Sequence, residues 1–82
     1  MEERTVPLST VSSEKEVTLI DVHGGRGMES RLYSMGLIPG LRMRILSNNG
    51  AGPLMVAVGD MRVALGRGMA FKMMVEVNDG RK

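Results

Sequence analysis

From residue 41 to residue 77, short apolar runs alternate with glycine-rich turns. Only the stretch between residues 24 and 40 is long enough to hold a helical crossover. Parallel strands need such crossovers, so the pattern argues against a parallel α/β sheet and for antiparallel pairing. Leu41, Met43 and Ile45 alternate with Arg42 and Arg44, the period-two signature of a half-buried strand. Residues 54–58 and 61–65 read as two strands joined by Gly59-Asp60, a two-residue hairpin turn with glycine first. The last strand runs over residues 71–77 and puts Phe71, Met73, Val75 and Val77 on one face. Near the start, residues 17–23 are rich in β-branched side chains and read as the first strand. Val17, Leu19 and Asp21 share one of its faces; Thr18, Ile20 and Val22 share the other. Ahead of it, residues 7–11 dock as a single turn and residues 12–16 form a polar turn.

The glycines at 24, 25 and 27 break the first strand and allow a sharp entry into a helix over residues 28–35. Met28, Leu32 and Met35 fall at i, i+4 and i+7 on the core face. Gly36 suits the left-handed position that closes a helix, and Leu37 can then fold back onto the last turn. Pro39-Gly40 adds a tight turn. Gly66 to Ala70 is a short break with room for one helical turn. The expected architecture is mainly β: a five-stranded antiparallel barrel with one short α-helix inserted after the first strand. Closing the sheet removes exposed edges. A chain of 82 residues is expected to be a single domain over 1–82 with an ordered core over about 6–77, the polar ends 1–5 and 78–82 being loose.

Composition removes most chemistry. Cysteine is absent and His23 is the one histidine, so thiolate metal cages, disulfides and cysteine nucleophiles are excluded. Asp21 lies two residues before His23, which places both side chains on one strand face as a candidate two-ligand site for a stray Fe or Zn ion. No nucleophile, base and orienter can be assembled, and no enzyme activity is expected. The glycines at 24–27 lack the third glycine of a dinucleotide fingerprint, since position 30 is serine. Arg42, Arg44, Arg62 and Arg67 could form a basic patch, but Tyr33 and Phe71 are the only aromatics available to stack bases. No nucleic-acid partner is expected. Residues 1–30 hold three basic and six acidic side chains, a net of −3, while residues 31–82 hold eight and three, a net of +5. The acidic, polar start does not read as a signal peptide. The longest apolar run, residues 54–58, is far below the ~20 residues of a membrane span. No membrane insertion and a cytoplasmic location are expected.

Nine methionines stand where aromatics are usually found. Met28, Met35, Met43 and Met73 sit at core-facing positions. Met55, Met61, Met69 and Met74 are harder to bury all at once, and an exposed methionine patch would suit an adaptable partner.

Several motifs come in order: Leu8-Ser9, Gly24-Gly25, Arg31-Leu32-Tyr33-Ser34-Met35-Gly36-Leu37-Ile38-Pro39-Gly40, Gly52-Pro53, and Ala64-Leu65-Gly66-Arg67-Gly68-Met69-Ala70. Together they resemble the ferrous-iron transport protein A (FeoA) family over residues 8–77. The turn at Ser12 to Glu16 departs from the family by lacking its common glycine. The resemblance implies an SH3-like barrel and a small bacterial cytosolic accessory protein of ferrous iron uptake. Its implied partner is the cytosolic part of a FeoB-like GTPase-permease, whose assembly or activity it would modulate. The contact is expected at Arg31, Tyr33, Leu37 and Ile38 and on a barrel face carrying Met55 and Met61. The other implied reading is an adaptor or regulatory domain, like the barrel of iron-dependent repressors, that binds a peptide segment or a transition metal ion. The resemblance carries over no catalytic residue and no cofactor.

Overall fold

A computed structural model describes residues 5–78. The strands are β1 (Thr5–Pro7), β2 (Glu16–Val22), β3 (Arg42–Ser47), β4 (Leu54–Val58), β5 (Met61–Leu65) and β6 (Met73–Asn78). A 3-10 turn over Leu8–Thr10 follows β1, helix α1 (Gly25–Ser34) follows β2, and helix α2 (Arg67–Phe71) joins β5 to β6. All pairings are antiparallel, in the order β1-β6-β2-β3-β4-β5. The mainly-β architecture with one helix after the first long strand is therefore the expected one, with a sixth strand added. That strand, β1, puts Thr5 opposite Glu76, and Asn78 pairs with Glu16, so residues 5 and 78 are held rather than loose. The remaining ends, 1–4 and 79–82, lie outside the described residues.

No ladder joins β1 to β5, so the sheet curls without closing. The 3-10 turn and α2 pack together across the gap, which explains why Leu8 and Ala70 are fully buried there. The core consists of Leu8, Val11, Val17, Leu19, Val22, Leu32, Leu37, Met43, Ile45, Leu54, Val56, Leu65, Ala70, Met73 and Val75.

Two bulges interrupt the ladders, and the first of them resets the faces that alternation alone assigns. Between β2 and β6, Leu19 faces Val75 and Asp21 faces Met74, which leaves Ile20 without a partner. A bulge adds one residue to one strand and inverts the facing beyond it. Val22 is thus buried and Asp21 exposed, the reverse of the simple period. Leu46 is skipped in the same way between β3 and β4 and sits at the surface.

The last strand also begins later than its apolar pattern suggests. Phe71 ends α2 instead of opening β6, and it is 61% exposed. Only Met73 and Val75 of that apolar set are buried, Val77 being partly exposed near the strand's end.

Candidate partner-binding surface

Helix α1 starts at Gly25, earlier than its apolar period, and ends at Ser34. Gly36 (φ +87°) donates its N–H to the Tyr33 carbonyl (2.9 Å), and Leu37 donates to Leu32 (2.9 Å). This is a Schellman motif, and it folds Leu37 down onto Leu32. Leu37 is only 2% exposed, so it belongs to the core and not to the contact surface expected for it. The chain leaves the helix at Met35, which is carried off the core face and is 52% exposed.

The elbow that follows is pinned to β2. Gly40 donates to the Leu19 carbonyl (2.7 Å), Leu19 donates to Leu41 (2.8 Å), and Leu41 donates to Ile38 (3.1 Å). Ile38 is held outward on this rigid elbow at 47% exposure, and Tyr33 is exposed on the helix. Arg31 is also exposed, in the last turn, where a cation suits the helix dipole. Three large apolar side chains thus project from one short stretch of chain with their backbone fixed beneath them.

Met61 is exposed as well, at the start of β5, but Met55 is half-buried. They do not share a face. Met61 lies opposite Val58, on the side of Leu54 and Val56, whereas Met55 lies opposite Ala64 on the other side. The single barrel face expected to carry both is corrected by the period of two. Met69 and Met74 are half-buried, Met43 and Met73 are buried, and Met28 packs partly against the core.

A groove runs between the two helices. It is lined by Gly24, Gly27, Met28, Arg31, Gly68, Met69 and Lys72, giving methionines between two cations. The sequence allowed one helical turn over Gly66 to Ala70, but not its extension over Phe71, because residue 71 reads as strand by alternation. The Gly66-x-Gly68 break before Ala70 is the signal that marks α2 as a separate turn.

Asp21 and His23 are brought together at the end of β2, with Asp21 Oδ2 3.2 Å from His23 Nε2. Both side chains are mostly exposed. The other Asp21 oxygen accepts the Val22 N–H (2.8 Å). Among the described residues no third His, Cys, Asp or Glu joins them. The pair offers two ligands at most, so an ion there would need solvent or a partner to complete its coordination.

Arg67 does not belong to a basic surface patch. Its guanidinium donates to the carbonyls of Gly52 (3.2 Å) and Ser9 (3.4 Å) and to Asn48 Oδ1. Asn48 Nδ2 in turn donates to the carbonyls of Ser9 (3.1 Å) and Val11 (2.7 Å). This clasp ties α2, the 48–52 loop and the 3-10 turn together. Arg42, Arg44 and Arg62 remain exposed on the outer face of the sheet.

The FeoA domain family model matches residues 6–77. The chain belongs to the FeoA family. It is 34% identical over 70 residues to a candidate Fe(2+) transport protein A of Methanocaldococcus jannaschii, covering 85% of this chain and 84% of that one. Among solved structures, an iron uptake regulatory protein (FeoA) superposes with a TM-score of 0.84 at 33% identity, over 92% of this chain and all of that one. A manganese-dependent transcriptional repressor shares the fold at 21% identity and a TM-score of 0.83, over 95% of this chain and 44% of that one. The SH3-like fold of FeoA proteins is thus present here, with the sheet left open between β1 and β5. No helix among the described residues is long and apolar enough to cross a membrane.

Proposed function

We propose that this FeoA-family chain is a non-catalytic, cytosolic accessory protein of ferrous-iron uptake. It acts by docking onto the cytosolic part of a FeoB-like GTPase-permease and modulating that protein's assembly or activity. The observation that carries this reading is the rigid apolar projection of Tyr33, Met35 and Ile38 beside Arg31. A backbone that is already fixed has little entropy left to lose on binding, which makes the large side chains it carries useful anchors. The names of the M. jannaschii relative and of the superposing iron uptake regulatory protein support the iron-uptake setting. The reading needs no resident metal and no catalytic group.

The test is a titration of 15N-labelled protein with the transporter's cytosolic domain. Resonances across residues 28–40 are expected to shift, and Ile38→Asp is expected to weaken binding about tenfold or more without unfolding the domain. Unshifted resonances across that stretch overturn the reading.

A second reading rests on the groove between α1 and α2, whose methionine floor and two cationic rims fit a short segment of another protein. In that case the chain is an adaptor or regulatory domain, and the repressor-like fold is consistent with it. It predicts binding of the segment without any transporter, with shifts at Met28, Gly68 and Met69.

A further inference from the structure

The outer strand of the sheet carries a docking site of a different kind. β5 ends the strand order, and its pairing with β4 runs Val58–Met61, Ala57–Arg62, Val56–Val63, Met55–Ala64 and Leu54–Leu65. A two-residue turn makes the closing pair, Val58 and Met61, a hydrogen-bonded one, and the pairs then alternate. Met61, Val63 and Leu65 therefore spend their N–H and C=O groups on β4. Arg62 and Ala64 point theirs away from it. No described residue makes a hydrogen bond to either backbone outside the β4 ladder. Arg62, Ala64 and Met61 are all exposed, so this edge is open to solvent among the described residues.

The face beside the edge is cationic. Arg62 stands next to Ala57, and Arg44 is the next residue along the same row. Arg42 joins them two residues away, and with Arg44 and Glu16 it lines a shallow depression that also takes in Ala57 and Gly59. None of the three makes an ion pair among the described residues. Glu16 borders Arg44 on the far side from the edge, and Asp60 caps the hairpin.

We propose that β5 receives an extended, acidic segment of a partner protein as an added strand. The segment's backbone would satisfy Arg62 and Ala64. Its carboxylates would lie on the Arg62 face, about 4.8 Å from β5, with the Arg44 and Arg42 charges behind. Its alternate apolar side chains would meet Met61 and Val63 on the other face. Backbone pairing supplies the affinity in such strand addition and the alternate side chains supply the specificity. A second copy of this chain fits less well, because pairing edge to edge would gather six arginines on one continuous face. Nucleic acid fits less well because it offers no ladder of amides and this face has no aromatic side chain to stack on bases. The inference goes beyond the transporter reading: it concerns another surface and holds for any partner with such a segment.

The probe is the peptide acetyl-Glu-Val-Glu-Val-Glu-amide, added to the 15N-labelled full chain, with its lysine counterpart and pyrophosphate as comparisons. Shifts centred on residues 61–65 are expected, with the Arg62 and Ala64 amide protons exchanging about tenfold more slowly at saturation. Arg62→Glu is expected to weaken the acidic peptide about threefold or more and to turn the preference toward the lysine peptide. Ala64→Pro removes one outward N–H without touching the β4 ladder and is expected to abolish binding. If Ala64→Pro does not fold, the charge swap at Arg62 decides. Four results overturn the inference: shifts elsewhere, pyrophosphate reproducing the peptide's shifts, Arg62 and Ala64 already protected in the dilute monomer, or protection that rises with protein concentration. The last would assign the edge to a second copy. Transporter titrations that move residues 28–40 but not 61–65 would leave the transporter reading intact.

Discussion

Two backbone positions with φ near +80° show how single residues set local stability here. Gly36 (φ +87°) closes α1 without strain, and Glu14 (φ +74°) holds a similar conformation in the turn ahead of β2. The left-handed region costs an ordinary L-residue about 1–2 kcal/mol. Glu14 tolerates it because the turn is tied to β3, with Glu14 donating to the Ile45 carbonyl (2.7 Å) and Ile45 donating to Lys15 (2.9 Å). Gly36→Ala is expected to lower stability by about 1 kcal/mol in urea unfolding. Glu14→Gly is expected to be neutral or to raise it by up to ~1 kcal/mol, since relieved strain competes with added freedom in the unfolded chain. At Arg67 the effect comes from the side chain. Arg67→Ala removes three hydrogen bonds donated by a charged group, and a loss of about 2 kcal/mol is expected from the same measurement. Arg67→Lys should recover only part of it, because an ammonium cannot span three acceptors as a planar guanidinium does.

Among the elements, α1 depends most on its packing. A ten-residue helix is marginal in isolation. No side chain caps its N-terminus, and Leu32 is its one fully buried residue. Leu32→Ala is therefore expected to cost about 2–5 kcal/mol. It should also release the amide protons of residues 28–34 to exchange before those of β2 and β6. Such a variant would separate the apolar projection at Tyr33, Met35 and Ile38 from the sheet that supports it. The strands show where element-scale reading from sequence stops. β3 follows its alternation as far as Ile45, so Met43 and Ile45 were legible as core. Residues 54–58 are apolar on both faces, and only the structure picks Leu54 and Val56 as the buried pair. β2 was half legible: Val17 and Leu19 point inward as the period demands, and the bulge at Ile20 then exchanges the roles of Asp21 and Val22. A bulge is selected by the twist the neighbouring strand needs, which no local pattern records.

For the whole molecule, the open seam between β1 and β5 is the point of weakness. The 3-10 turn and α2 pack against each other there through Leu8 and Ala70 and are tied by Arg67, while Met61, Arg62 and Ala64 of β5 stay exposed. A domain of this size has about 4–12 kcal/mol of stability in total. Burying Leu8 and Val11 supplies a large part of that at about 1.5–3 kcal/mol per side chain. A chain beginning at residue 12 is expected to lose cooperative unfolding, seen as a broad thermal transition by circular dichroism and collapsed dispersion of amide resonances. An intact, dispersed spectrum from that truncated chain would refute this account of the seam.

The sequence alone determined the fold class, because antiparallel pairing is the one way to join short runs across tight turns. It also determined the α1 closure, the 59–60 hairpin turn and most of the core, all of which depend on neighbours a few residues apart. The absence of cysteine and the single histidine limited metal chemistry to Asp21 and His23 before any geometry was known. Only the tertiary structure decided which candidates face solvent. Leu37 went inward because the helix closure folds it onto Leu32, and Phe71 went outward because α2 already buries Ala70. Met55 and Met61 were divided between two faces by the register of one hairpin. Strand order likewise made β5 an edge, a property that arises between segments distant in the chain and has no local signature.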